Sequence, residues 1–262
     1  MILINGEPAS ADDLGYLATV NYGAFTSFRV EEGAVRGLDR HLARLAASAV
    51  ALFGEAVDEA RLRDLIRVAV GDRPACWLRV SLFSPEILPR SPSWRGPPKV
   101  MTVVSPPPSA LATTLRVMPQ VHGRHLPAIK HTATLDLIHG RRMARETGFD
   151  DVLFVDGDGV IAEGSTWNIG FVKADRVIWP QAPMLAGVTQ CLVEDGLAGV
   201  GLSSETRPVR LADMAGFDHA FFCNSTTPAG GITAIGDHAF SSDPALIERL
   251  EAAWASNAPE AI

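Results

Sequence analysis

Residues 151–179 read DVLFVDGDGVIAEGSTWNIGFVKADRVIW. Two apolar runs, 151–155 and 160–163, flank Asp156-Gly157-Asp158-Gly159. An Asp-Gly pair between strand-like runs is a hairpin turn, because glycine supplies the positive φ that a tight turn needs. A second hairpin follows, with strands over 167–172 and 176–179. Outward from this stretch the apolar period changes. Residues 134–147 carry helical spacing and stop at Gly148, and Gly187-Val188-Thr189 opens a helix that runs to about 197. Strands over 220–223 and 232–235 and a closing helix over 245–255 complete this half. Hairpins mixed with separate helices indicate an α+β protein with antiparallel or mixed sheets.

The first half follows the same logic. Residues 1–8 read as a short strand ending in a turn, and 23–30 and 33–35 as strand-like runs around Glu31-Glu32-Gly33. Leu42, Leu45, Ala49 and Leu52 recur at helical spacing, with Asp39 as N-cap and Gly54 past the end. A second amphipathic helix covers 58–70, and strands cover 76–83, 99–104 and 115–118. The Pro, Ser and Arg-rich segment 84–98 reads either as a lid or dimer contact or as a surface insertion. Glycine and two prolines in 119–127 place a boundary there, giving domains 1–118 and 128–262 joined by a linker.

The composition excludes several classes. With 262 residues, 47% apolar, and a net charge of −7, the chain is a packed globular protein without a basic nucleic-acid surface. No apolar run approaches the roughly 20 residues of a membrane span. The opening Met1-Ile2-Leu3-Ile4-Asn5-Gly6 lacks the pattern of an export signal. Three cysteines without metal-type spacing read as buried thiols, so the expected compartment is the cytoplasm. No two of the seven histidines stand at the His-x-x-x-His spacing, and no metal is expected. Walker, dinucleotide and serine-elbow patterns are absent.

Five local features carry chemistry, each with a bland alternative. Lysine occurs only at Lys99, Lys130 and Lys173. Lys130, in Ala128-Ile129-Lys130-His131, is either a partly exposed loop lysine or an amine able to form a Schiff base with a carbonyl. Glu163 caps a turn or holds a protonated pyridine nitrogen. Arg44 shares a helix face with His41 and is either solvated or a bidentate phosphate clamp. Gly187-Val188-Thr189 is an ordinary helix start or a phosphate cradle of backbone N–H groups. Asn224-Ser225-Thr226-Thr227 is a polar turn or a second set of anion donors. One lysine, one acid, one arginine and two phosphate-type turns together are what a pyridoxal phosphate site requires.

At these residues the chain resembles the class IV aminotransferases, pyridoxal phosphate enzymes of fold type IV. The likeness runs through Tyr22-Gly23-Ala24-Phe25-Thr26-Ser27-Phe28-Arg29-Val30, His41-Leu42-Ala43-Arg44-Leu45 and Ile129-Lys130-His131. It continues through Gly148-Phe149-Asp150-Asp151, Gly159-Val160-Ile161-Ala162-Glu163-Gly164-Ser165-Thr166-Trp167-Asn168 and Leu185-Ala186-Gly187-Val188-Thr189. The resemblance implies a smaller N-terminal α/β domain, a larger, mixed, β-barrel-like C-terminal domain with helices, and pyridoxal 5'-phosphate in the cleft between them. It makes Lys130 the Schiff-base lysine and proton shuttle, and Glu163 the partner of the pyridine nitrogen. Arg44, Gly187, Val188, Thr189 and Ser225 become phosphate ligands, Leu185 lies under the ring, and Asn168 supports the motif. A homodimer acting on a small-molecule amino donor and a keto-acid acceptor is implied.

The departures concern substrate. D-amino acid aminotransferases carry tyrosine where Phe25 stands and an arginine just after the strand 77–83, where this chain has Ser84-Pro85. Arg29, Arg79, Arg90 and Arg124 are candidate substitutes for binding a substrate carboxylate. Lyase relatives carry Asn-Arg soon after Lys-His, where Thr132-Ala133-Thr134 stands here. Aminotransferase is therefore the leading expectation. The alternatives are an aminodeoxychorismate lyase-like enzyme releasing pyruvate and a non-catalytic relative that binds the cofactor.

Overall fold

The computed structural model describes all 262 residues, which divide into two compact units. The first takes Met1–Pro108, Ile129–Ala133 and Ala258–Ile262, and the second takes Ser109–Ala128 and Thr134–Asn257. No helix is long and apolar enough to cross a membrane.

In the first unit, β1 (Ile2–Ile4) and β2 (Glu7–Pro8) turn at Asn5-Gly6, whose φ values of 51° and 90° are those of a tight primed turn. Helix α1 (Ala11–Thr19) follows, N-capped by the Ser10 side chain. Strands β3 (Gly23–Glu31) and β4 (Ala34–Arg36) turn at Glu32-Gly33. Helices α2 (Leu38–Phe53) and α3 (Glu59–Val70) precede β5 (Ala75–Phe83) and β6 (Lys99–Ser105). Alternation sets the faces. Ala24, Phe28 and Val30 of β3, Cys76, Leu78, Val80 and Leu82 of β5, and Val100 of β6 are buried. Most of them join Leu38, Leu42, Leu45, Ala49 and Phe53 of α2 and Leu62, Ile66 and Ala69 of α3 in one core. Each such buried aliphatic or aromatic side chain stabilises the unit by roughly 1.5–3 kcal/mol. The opposite face of β3 and β5 presents Phe25, Ser27 and Arg79, all half-buried.

One local reading changes. The N-cap of α2 is Gly37, at φ 70°, while Asp39 sits in the first turn with its N–H on Glu260. The segment 84–98 is anchored rather than loose: Ile87 and Trp94 pack on the core, and the Ile87 carbonyl accepts from the Tyr16 hydroxyl at 2.9 Å.

The second unit holds β7 (Thr114–Val121), α4 (Leu135–Glu146), β8 (Asp151–Val155), β9 (Ile161–Gly164), β10 (Asn168–Lys173) and β11 (Arg176–Pro180). Then come α5 (Val188–Gly196), β12 (Ser203–Arg207), β13 (His219–Asn224), β14 (Thr227–Ile235), β15 (His238–Ala239) and α6 (Pro244–Ala255). These strands form one nine-stranded mixed sheet in the order β12-β11-β10-β13-β14-β7-β8-β9, with β15 on β14. β9 and β10 also lie side by side, so the sheet curls toward a half-barrel. Its interior is apolar, with Trp167, Ile169, Phe171, Phe222 and Ile232. A second cluster packs Val193 of α5 and Leu250 of α6 against Trp179 and Phe221.

Finally β16 (Pro259–Ala261) returns to the first unit and pairs with β4, completing an antiparallel sheet ordered β16-β4-β3-β5-β6-β1-β2. The division therefore falls at Pro108, not at 119–127. The reason is β7, which extends to Val121 and pairs in parallel with both β14 and β8, so residues 119–121, read as linker, belong to the second sheet.

Candidate active site

Lys130 lies on the open face of the first sheet. Its carbonyl accepts from the Phe25 N–H at 2.8 Å, and His131 bridges to Ala24, so the segment lies along the edge of β3. The Lys130 Nζ stands 5.1 Å from the Phe25 ring centroid, and the Arg79 guanidinium lies 3.5 Å from the same centroid. A ring face attracts cations, which explains the crowding. Arg79 donates to the Ser81 hydroxyl at 3.2 Å and has no carboxylate partner, and burial holds its pKa below the usual range.

His41 links Lys130 to Arg44. It is 3% exposed, with Nδ1 2.6 Å from the Thr26 hydroxyl and its ring against Phe28. Burial first, then the charges of Arg44 and Lys130, lower its pKa to about 3, so it is neutral near pH 7. Both of the predicted cations of this unit therefore act on one buried imidazole, whose importance the sequence did not signal beyond its three-residue spacing from Arg44.

In the second unit the stretch Glu163–Asn168 is built residue by residue. Glu163 is buried on β9, and its Oε1 accepts from Arg124 Nη1 at 3.1 Å, with both side chains 8% exposed. Gly164 is obligatory, because a Cβ there would lie 2.0 Å from the Trp167 ring. Ser165 buries a hydroxyl that has no partner. Trp167 Nε1 donates to Asp151 Oδ2 at 3.0 Å, and Arg141 stands 3.4 Å from that oxygen. Asp151 also accepts from the Val152 N–H, so it is a fully buried structural carboxylate.

Asn168 and Asn224 then join three segments. The Asn168 Nδ2 donates to the Leu185 carbonyl at 2.8 Å, and its Oδ1 sits where a Gly187 Cβ would be. That contact requires glycine and fixes the path into α5. Gly187 gives α5 no side-chain cap, and the first intrahelical bond is from the Cys191 N–H to the Gly187 carbonyl. The N–H groups of Val188, Thr189 and Gln190 precede that bond and are available to an anion. Val188 and Thr189 are themselves buried. The Asn224 Oδ1 accepts from the N–H groups of Thr226 and Thr227 at 2.9 Å, and its Nδ2 donates to the Thr166 carbonyl at 3.4 Å. Ser225 is exposed at the tip of this turn.

The structure thus ties the segment after Glu163 to the run Leu185, Gly187, Val188 and Thr189 and to the turn bearing Ser225 through two asparagines, and sets the charges of Arg44 and Lys130 near His41. Of the four arginines weighed for a substrate carboxylate, Arg29 pairs with Glu31, Arg90 is exposed and Arg124 pairs with Glu163. Only Arg79 shares the Phe25 ring with Lys130.

The amino-transferase class IV family model matches residues 23–235. A branched-chain-amino-acid aminotransferase-like protein 2 from Arabidopsis thaliana is 28% identical over 205 residues, which are 71% of this chain and 36% of that protein. A probable branched-chain-amino-acid aminotransferase from Rickettsia bellii is 29% identical over 99 residues, 37% of this chain and 34% of that protein. The chain spans about a third of the length of these curated relatives. The solved fold IV-transaminase CpuTA1 from Curtobacterium pusillum superposes with a TM-score of 0.79 at 25% identity, covering 97% of each chain. A hypothetical aminotransferase from Mycobacterium tuberculosis, solved in a PLP-bound form, gives 0.78 at 20% identity over 98% of this chain and 100% of that one. The architecture is fold type IV, and the chain belongs to the class IV aminotransferase family.

Proposed function

We propose that the protein is a pyridoxal phosphate-dependent aminotransferase that moves an amino group between an amino acid or amine and a keto acid. The observation that carries this reading is the joining, by Asn168 and Asn224, of the segment that follows the buried Glu163 to two anion-type turns. The donor set fits the cofactor. The uncapped start of α5 offers N–H groups to a phosphate, Glu163 offers a buried carboxylate to a pyridine N–H, and Lys130 offers an amine to an aldehyde. When bound, pyridoxal phosphate supplies an electron sink for the pair left at the substrate Cα.

Each residue then has a role. Lys130 would hold the cofactor through Nζ and would move a proton at the substrate Cα. Glu163 keeps the pyridine nitrogen protonated. Arg44, Gly187, Val188, Thr189 and Ser225 bind the phosphate, and Leu185 packs against the ring. A half-buried guanidinium without a counter-ion is costly, so Arg79 is assigned to the substrate carboxylate. A cytoplasmic homodimer completes the proposal. Leu135 and Ile138 of α4, 76% and 66% exposed, supply apolar surface for a partner copy.

The test is a half-reaction. The protein is loaded with pyridoxal phosphate and mixed with L-amino acids, D-amino acids and amines in turn, without acceptor. A donor that bleaches the visible band, with recovery on adding a keto acid, supports the aminotransferase. Multiple turnovers of pyruvate from an aminodeoxychorismate-like substrate, without acceptor and with the band retained, would instead establish the lyase alternative, and a band that no donor alters would overturn the reading.

A further inference from the structure

Arg124 has no part in the scheme above, yet it forms the most buried side-chain ion pair of the second unit that involves a proposed site residue. Its Nη1 lies 3.1 Å from Glu163 Oε1, and both side chains are 8% exposed. Removing two charges from water to this degree is costly, so the pair persists only where its geometry is enforced.

That enforcement is visible. Two residues before Arg124, the His122 N–H donates to the Val155 carbonyl at 2.9 Å, and the His122 ring lies 4.6 Å from that of Phe154. Val155 and Phe154 belong to β8, which pairs with β9, the strand that carries Glu163. Arg124 therefore follows the end of β7, and the acid stands on β9, with β8 between the two strands. Beyond Arg124 the chain takes a left-handed turn at Leu126, with φ 50°, immediately before Pro127. Leucine in that region costs on the order of 1–2 kcal/mol, and a following proline disfavours it further. The fold holds this loop in one strained path rather than letting Arg124 swing into solvent.

We propose that Arg124 is a positioning residue for Glu163. It fixes the plane of the carboxylate and keeps it ionised, so that the acid receives the pyridine N–H of the cofactor in one orientation. The proposal rests on the reading of Glu163 as the partner of the pyridine nitrogen. It also withdraws Arg124 from the residues able to bind a substrate carboxylate.

The test uses two probes, pyridoxal phosphate and its 1-deaza analogue, in which a C–H replaces the ring nitrogen. Their dissociation constants are measured by absorbance titration of apo-protein for the wild type, Arg124→Ala and Arg124→Lys. Arg124→Ala is expected to weaken pyridoxal phosphate on the order of 10–100-fold, the range seen when a group that orients a metal ligand is removed. Arg124→Lys is expected to recover part of that loss. Neither substitution should change the affinity of the deaza analogue by more than about threefold, roughly the scatter expected of a surface change. An equal loss with both probes would show a merely structural pair and overturn the proposal, as would full affinity for pyridoxal phosphate in Arg124→Ala. If Arg124→Ala does not fold, the ratio of the two affinities in Arg124→Lys decides the matter alone. Failure of the wild type to take up pyridoxal phosphate at all would overturn the cofactor reading itself, and is distinguishable from either result.

Discussion

The two units hold charge in opposite ways. In the first, Lys130 and Arg79 crowd one phenylalanine ring, and the buried imidazole between Lys130 and Arg44 is neutral. Arg79 has no acid partner. In the second, the two buried acids near the turn 164–167 are each matched to a guanidinium, Glu163 to Arg124 and Asp151 to Arg141. A buried cation without an anion gains from a ligand that supplies one, whereas a compensated acid is already set in direction before any ligand arrives. The first unit therefore holds an unmatched cation, and the second holds acids that are already matched.

Removing one side of a compensated pair should have the largest effect. Asp151→Ala strands the Trp167 indole N–H and the Arg141 guanidinium. It should lower the unfolding free energy by about 3–5 kcal/mol in urea titrations. A loss below about 1 kcal/mol would show that the second unit does not depend on its matched charges.

Removing the unmatched cation should cost function instead. Arg79→Leu should reduce kcat/KM for donors bearing a carboxylate by on the order of 10–100-fold, the worth of about 1.5–3 kcal/mol for a charged hydrogen bond. Simple amines as donors should be spared. Equal losses for both donor classes would remove Arg79 from substrate binding and blur the contrast between the units.

The neutral imidazole gives an effect that depends on pH. His41 falls from 6.5 to about 3 on folding, so the folded state favours the uncharged ring. Its contribution is complete above about pH 6.5 and is lost as pH falls toward 3, at up to about 1.4 kcal/mol per pH unit. Denaturation midpoints measured between pH 4 and pH 7 should show this slope in the wild type and a shallower one in His41→Asn. Parallel slopes would mean that His41 is not the buried base described here.

The elements that the sequence revealed are those whose apolar spacing faces a core. β3, β5 and α2 bury alternate or helical sets, and their boundaries were legible to within a few residues. Helix α1 buries none of its residues, so no periodicity marks it; only Ser10 with Asp13 signals its start. β12 is the polar sequence Ser203–Arg207 on the sheet edge, and β16 contains a proline, so tertiary pairing alone makes them strands. Lys130 and Glu163 could be singled out as candidates because their chemistry is distinctive. The partnership of Arg124 with Glu163 spans 39 residues and that of Asp151 with Trp167 spans 16, and both depend on strand register that no local pattern carries.

The central claim is that one lysine carries the cofactor. Only three lysines are present, Lys99, Lys130 and Lys173, so the site of attachment can be read without ambiguity. The protein is incubated with pyridoxal phosphate, reduced with borohydride and digested, and the phosphopyridoxyl mass is located by peptide sequencing. The expected result is a single modified lysine, Lys130. Modification confined to Lys99 or Lys173, or none at Lys130, would contradict it.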